Sequence, residues 1–568
     1  IGVTGVQTCA LPIFTHHECK APHDTPKYAN AVLEKIREFE AKDAQLKYEE
    51  LHNKYIGGKG ADLPPMYNDR IDVYDIPKLP CYDPGVHRKH RPHDFAIPYA
   101  MIARSVGKKE MLRIPKAQEA VQKEFEKLIE QGAWNLNEVE EWKDVRDRAR
   151  ADKEKIHIGR IFALCVEKGS ELPAGHEDRK FKGRIVFMGN QVRDEYHDHA
   201  IFQDLSSSPA ALEAAKALDA YGSLKGNSVM QADAKQAYVQ ADFNTKTKTW
   251  VRLPTEYWPD HWHGKYKDPV VPLVKALYGH PDAGGMWEDH AEKIVLSLGY
   301  QRIDQWRSCY FNPERGLFLS IYVDDFKLAG PTHLMKEAWA ELRKHIDMDD
   351  PAPLNKYLGC IHKQEPFTRN GNKGTKISYI MEDFANQCVA SYLTMTNSNK
   401  DCLRDVMTPF IEPPPEEELM DTGYLQPISS SILMKVLYMA RVARFDLLKP
   451  VTYLASRITR WSRACDRRLH RLMCYIHSSR NYVLEGHICD PIGDLKLALY
   501  SDADFAGCKV TKRSTSGVYL ALVGPNTFFP LTALSWKQTC VSHSTPEAEM
   551  VAADLALDRK STRLNSSH

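Results

Sequence analysis

Residues 317–330 read LFLSIYVDDFKLAG. An apolar run leads into two adjacent acids, Asp324 and Asp325, and a second apolar stretch leaves them. Few folds accept this, because neighbouring carboxylates repel while the flanking segments favour burial. One solution is a β-hairpin with a solvated tip, since Asp suits turns. Another is a site for divalent cations, which need carboxylate oxygens on a rigid element. Taken alone, the stretch leaves both open.

At 568 residues the chain has room for three or four domains. Its 43% hydrophobic and 27% charged content is that of an ordinary globular protein. No run approaches the roughly 18 apolar residues of a membrane span. Lys and Arg number 76 against 75 Asp and Glu, a net charge of +1. Any nucleic-acid-binding surface must therefore be local. The 13 cysteines show no CxxC pair and no zinc-finger spacing, and read as reduced thiols of an intracellular protein.

Read back into DNA, Val3–Ile13 (VTGVQTCALPI) and Asp558–His568 (DRKSTRLNSSH) correspond to complementary strands of one sequencing-library adapter. Residues 1–13 and 558–568 are therefore expected to be adapter-derived scars and are set aside from the fold. Residues 14–100 are polar and proline-punctuated, and are expected to be a poorly ordered linker or arm. The basic cluster His87–His93 within them reads as solvated surface, with nucleic-acid contact as the alternative. The period of Ala117–Ile129 predicts an amphipathic helix. Strands are expected at Ile161–Val166, Arg184–Met188, Val229–Ala232 and Leu317–Val323, helices at Leu433–Val442 and Ser462–His477, and a second β-rich region from about Leu495. The acidic, proline-rich Ile411–Asp421 looks like an interdomain linker. The pattern is α+β.

Val229–Phe243 reads VMQADAKQAYVQADF. Asp233 ends an apolar strand before a helix-like segment, a placement that suits an N-cap as well as a catalytic acid. If its strand neighbours the Asp324–Asp325 turn in one sheet, the carboxylates converge. They could then hold two divalent cations for nucleotidyl transfer.

QADAKQAY, LVKALYGHPDAGGMW and IYVDDFKLAG, in this order, resemble the reverse transcriptase of copia-type LTR retrotransposons. RKFKGRIVFMGN (Arg179–Asn190) is similar to that family's fingers motif, YLGCIH (Tyr357–His362) to its primer-side motif, and Val436–Arg457 to its tether helix. The resemblance covers about residues 110–557. It implies a right-hand polymerase of fingers, palm and thumb, then a tether and an incomplete ribonuclease H-like α/β domain. Fingers and palm are expected over 101–365, thumb and tether over 366–490, and a truncated ribonuclease H over 491–557.

The resemblance also implies roles. Asp233, Asp324 and Asp325 would be the catalytic metal ligands, holding two Mg²⁺ ions, with Mn²⁺ as a substitute. Tyr238 would close the nucleotide pocket against a 2′-hydroxyl and so select dNTP. Lys182 and Arg184, which alternate along one strand and share a face, would grip the triphosphate. Gly279 would let backbone approach the incoming base pair. Where the family has Leu-Tyr-Gly-Leu-Lys-Gln-x-Pro-Arg-x-Trp, this chain reads LYGHPDAGGMW, with the Lys, Gln and Arg replaced by Pro281, Asp282 and Gly285.

Leu497–Gly507, Ser514–Leu520 and Leu534–Met550 resemble the ribonuclease H that follows this polymerase. Asp502 and Glu547 look like the first two of its four acids, with Asp504 and Glu549 as near neighbours. Thr545 is expected to cap the helix and Pro546 to open it. The remaining acids would lie beyond Leu557, so cleavage of RNA is not expected. A half-sheet exposes an apolar face and open edges, and its folding is in question.

The expected function is RNA- and DNA-directed DNA polymerisation. The expected partners are a primed RNA or DNA template, dNTPs and other Pol and Gag products of the element, with no membrane. Its place would be the cytoplasm, within virus-like particles. The resemblance implies capsid, protease and integrase modules upstream. The competing readings are a catalytically dead retroelement remnant that binds nucleic acid, for which residues 280–285 argue, and an RNA-dependent RNA polymerase, against which Tyr238 and the ribonuclease H segment argue.

Overall fold

The computed structural model describes residues 103–168, 176–177, 179–200, 202, 210–304, 306–411, 421–508 and 511–560. The expected arm over 14–100, the cluster His87–His93, the scar 1–13 and most of the Pro-rich linker lie outside the described residues. Three sheets organise the remainder.

The first sheet is built on the long strand β1 (Ile156–Lys168) and its antiparallel partner β2 (Lys180–Phe187). Helix α1 (Pro115–Glu130) covers it with Val121, Phe125 and Leu128, the stripe its periodicity predicts. Contact is closest at Gly183, where an added Cβ would lie 2.5 Å from the Ala120 carbonyl oxygen. Gly183 therefore faces the helix, and Lys182 and Arg184 on either side are exposed together.

The second sheet carries the acids. Helix α2 (Leu212–Gly222) precedes strand β3 (Asn227–Asp233), and helix α3 (Ala283–Ser297) precedes strands β4 (Leu317–Tyr322) and β5 (Asp325–Pro331). Helix α4 (Thr332–Arg343) follows. Strand β5 lies between β3 and β4, antiparallel to both. Being central, β4 and β5 read as continuous apolar runs rather than alternating ones. Trp287 of α3 and Trp339 of α4 pack on the same face with Leu319, Phe326 and Leu328.

Lys327 breaks the apolar run of β5, and it is fully buried. Its Nζ lies 2.6 Å from Asp219 Oδ1, while the Tyr379 hydroxyl donates to Asp219 Oδ2 at 3.0 Å. Lys216, one helical turn before Asp219, has no hydrogen-bond partner and sits 4.4 Å from the Phe445 ring centroid. Burial drives its pKa down to about 7.

The third sheet is continuous where the sequence suggests a break. Strands β6 (Cys360–Arg369) and β7 (Asn372–Ile380) form a hairpin. Helices α5 (Gln426–Val442), α6 (Leu448–Ala455) and α7 (Arg463–Ser478) follow, and strand β8 (Leu484–Ile488) then returns to pair with β7. From β8 the sheet runs on into β11 (Phe528–Lys537), β10 (Thr515–Val523) and β9 (Lys496–Asp504), with helix α8 (Thr545–Lys560) after them. The seam between β8 and β11 has one registered pair, His487 with Phe528. Asp490 stitches it, accepting from the Asn526 backbone N–H at 2.7 Å and side-chain amide at 2.9 Å.

Two expected boundaries therefore cut through structure. The one at 365/366 falls inside β6, and the one at 490/491 divides this sheet. The strands expected to belong to a truncated ribonuclease H do form, because their inner face is covered. Phe529 and Leu531 of β11 belong to the same core as Met439, Leu454, Leu469 and Met473 of the helices. The outermost strand keeps some of the expected liability: Leu497 and Tyr500 remain exposed on β9. None of the ten cysteines among the described residues is in a disulfide.

Candidate active site

Register brings the acids together. Asp325, the first residue of β5, stands opposite Asp233, the last of β3, and opposite Tyr322 of β4 on its other side. Val323 and Asp324 are thus the two central residues of a tight hairpin turn. Such turns demand positive φ at the first central position, and Val323 sits there at φ 59°. A β-branched side chain is strained in that region. The predicted strand Leu317–Val323 accordingly ends one residue early.

Two hydrogen bonds hold the strained turn. The Trp287 indole N–H donates to the Val323 carbonyl oxygen at 2.6 Å. The Ala234 backbone N–H donates to the Asp324 carbonyl oxygen at 2.7 Å, tying the turn to the end of β3. Asp233 and Asp324 are exposed and Asp325 is half-buried. Burial, then the charges of Asp233 and Asp324, hold the Asp325 carboxyl well above the usual carboxylate range, with Asp233 in hydrogen-bonding reach. Among the described residues no group of three or more His, Cys, Asp or Glu side chains is arranged to hold a metal ion. The acids meet as a mutually repelling cluster.

Tyr238 lies on the four-residue helix Ala237–Gln240 that follows β3. Its ring centroid is 4.7 Å from that of Tyr278, a residue that sequence reasoning passed over although it sits in LYGHPDAGGMW. The Arg184 guanidinium lies 5.7 Å from the Tyr278 ring centroid. Burial, then the Asp324 carboxylate, push the Tyr278 phenol up to about 12 and raise that of Tyr238. Burial and then Arg184 lower the Lys182 ammonium, against the pull of Asp324. Lys182, Arg184, Tyr238 and Tyr278 thus share the surroundings of the Asp324 turn.

Gly279 has φ 90°, and an added Cβ would lie 2.2 Å from the Phe187 carbonyl oxygen. The space its missing side chain leaves is filled by β2 itself, not by an open pocket. His280 beside it is a core residue, packed among Phe187, Phe202 and Phe243 and driven down to about 3 by burial. Asp282 is buried at the head of α3 with Oδ1 unpaired, and burial raises its pKa.

Two of the second set of acids are otherwise engaged. Asp502 is exposed on β9. Asp504 pairs with Lys449 of α6 at 2.5 Å and accepts from the Thr515 backbone N–H. Glu547 Oε2 accepts from the His543 backbone N–H at 2.7 Å, while Ser544 Oγ accepts from the Glu547 N–H at 3.3 Å. The Ser544 bond is the N-cap half of a capping box, while the Glu547 side chain reaches one residue further back, to His543. The cap is therefore Ser544, and Thr545 is the first helical residue rather than the expected N-cap.

Residues 169–407 match the family model described as reverse transcriptase (RNA-dependent DNA polymerase). This match and the similarity to transposon Pol proteins support a copia-type retrotransposon Pol fragment. The chain is 26% identical over 294 residues to the Saccharomyces cerevisiae protein named for transposon Ty5-1, covering 50% of this chain and 88% of that protein. Over 285 residues it is 26% identical to the retrovirus-related Pol polyprotein from transposon RE1 of Arabidopsis thaliana, covering 49% of this chain and 18% of that longer protein. A telomerase from Candida albicans, solved with a fragment of telomeric RNA, aligns at 10% identity over 60% of this chain and 64% of its own. Its TM-score of 0.19 is too low to bear on the fold. The polymerase candidates, from Lys182 to Asp325, fall within the reverse transcriptase match, and Asp502 and Glu547 fall outside it. No helix among the described residues is long and apolar enough to cross a membrane.

Proposed function

We propose that this chain is an RNA- and DNA-directed DNA polymerase that extends a primer by two-metal nucleotidyl transfer. The observation that carries the reading is the placement of Asp233 and Asp325 opposite each other at the ends of β3 and β5, with Asp324 in the turn that joins β5 to β4. The donor set fits divalent cations. It is three hard carboxylates on a rigid sheet, and the repulsion that raises Asp325 is what bound positive charge relieves. When bound, Mg²⁺ or Mn²⁺ would activate the primer hydroxyl and stabilise the leaving pyrophosphate.

In this reading the first sheet is the fingers and the second the palm. The hairpin β6–β7 and the helices after it are thumb and tether. Lys182 and Arg184 grip the triphosphate, and Tyr238 stands where a 2′-hydroxyl would clash. Gly279 serves by bringing Tyr278 against β2. Template–primer and dNTPs are the partners, other Pol and Gag products its companions, and a cytoplasmic particle its place. Cleavage of RNA is not part of the reading, since the carboxylates of Asp504 and Glu547 are already used in structural contacts.

Primer extension by the full chain tests this, with Mg²⁺ or Mn²⁺ on RNA and DNA templates and Asp324→Asn as control. Metal-dependent dNTP incorporation that the substitution abolishes supports the proposal. A folded chain that binds template–primer yet incorporates nothing overturns it. That result would favour an inactive remnant, with the buried, unpaired Asp282 as the first suspect.

A further inference from the structure

A tyrosine that excludes a hydroxyl must not yield. The element that carries Tyr238 is poorly suited to hold it alone. Helix Ala237–Gln240 is a single turn, entered through Gln236 in the left-handed region at φ 46°, and short helices draw little rigidity from their own hydrogen bonds. The Tyr238 ring is only half-buried. It packs at the edge of two core clusters, one containing Trp287 and one Met286, and beside it stands the Tyr278 ring, 4.7 Å away between centroids with planes inclined by 33°.

Tyr278 is tied directly to β2. Its carbonyl oxygen accepts from the Phe187 backbone N–H at 2.7 Å. The next residue, Gly279, is pressed so closely on β2 that no Cβ fits, and Gly189 in turn leaves no room for a Cβ against the Gly279 carbonyl. Tyr278 is thus fixed to the strand that bears Arg184, whose guanidinium lies by its ring.

We propose that Tyr278 is the positioning residue of the sugar gate: its ring backs the Tyr238 ring and keeps it from retreating before a ribonucleotide. The inference rests on the polymerase reading above and adds the residue that sets how strict the gate is. It gives Tyr278 no contact with the reacting atoms.

The test is single-nucleotide primer extension, comparing kcat/KM for a dNTP and its matching rNTP. The proteins are the full chain, Tyr278→Leu, Tyr278→Met, Tyr278→Phe, Tyr238→Ala and the double variant Tyr238→Ala/Tyr278→Leu. Removing the ring in Tyr278→Leu or Tyr278→Met should raise rNTP use relative to dNTP about tenfold, the scale of one aromatic pair. The change should fall mainly on the rNTP KM, with kcat for dNTP held within a few-fold. Tyr278→Phe keeps the ring and should restore the parent ratio. In Tyr238→Ala the second substitution should add nothing, since the two act as one unit. Two ringless variants guard against one that fails to fold. An unchanged ratio in a ringless variant that still extends with dNTP overturns this inference and leaves the polymerase reading standing. A parent chain that incorporates no dNTP overturns that reading, and this inference falls with it.

Discussion

Asp325 stands opposite Asp233 across paired antiparallel strands, so strand register, not loop conformation, brings two of the three acids together. The third, Asp324, is the residue before, in the turn that β4 and β5 close.

Asn in place of Asp324 keeps the shape and removes the charge. Incorporation of dNTP should fall on the order of a thousandfold, several kcal/mol of lost charge stabilisation. Template–primer affinity, measured by fluorescence anisotropy, should stay within a few-fold. A variant that extends primers at the parent rate would remove Asp324 from the reaction.

Trp287→Phe keeps an aromatic ring in the palm core and deletes the donor to Val323. The turn then loses a hydrogen bond of about 1 kcal/mol at the position where the backbone is already strained. Urea unfolding should show a loss of that size, and single-turnover extension should slow more than the stability change explains. If both stay at parent values, the bond does not hold the turn.

Lys216 gives a pH signature. Its pKa is about 7 in the fold against an ordinary 10.5, so between those values the unfolded chain binds the extra proton. Stability from this group therefore rises as pH climbs from about 7 to 10.5 and is flat below. Lys216→Met should stabilise the protein at neutral pH and remove that rise. Denaturant melts across this range decide it, and a variant whose profile still matches the parent would place the dependence elsewhere, for example at Lys327, whose ammonium burial also lowers.

Phe529 tests whether the third sheet and its helices share one core. Phe529→Ala should cost about 3–5 kcal/mol. In calorimetry, melting of the strands over 496–537 and of helices 426–478 should shift together. Two separate transitions, only one of them moved, would show two cores.

The second sheet was the most legible part, because its elements are local apolar runs punctuated by acids. Strand Asn227–Asp233 matches the expected Val229–Ala232 within two residues, and helix Pro115–Glu130 matches Ala117–Ile129 likewise. The turn was less so: Val323 belongs by its chemistry to the strand, and only the pairing of Tyr322 with Asp325 moves it out. Tyr278 and Trp287 lay in a motif already singled out. Their partners, Tyr238 and Val323, are distant in the chain, and no local pattern encodes such contacts. Ser544 was readable, since Ser-x-x-Glu is a capping box in sequence, but the Thr-Pro that follows offered a competing start. Least legible was the third sheet. Its joining strand, Leu484–Ile488, finds one partner far upstream and another downstream.

That joining strand has a consequence for distance. Between neighbouring strands the spacing is about 4.8 Å, so the steps from β6 to β9 form a spacer whose length is set by backbone hydrogen bonds. The hairpin beside the palm and the strand bearing Asp502 are the two marks on it. A lesion at the Asp490 stitch would change that separation without touching either mark.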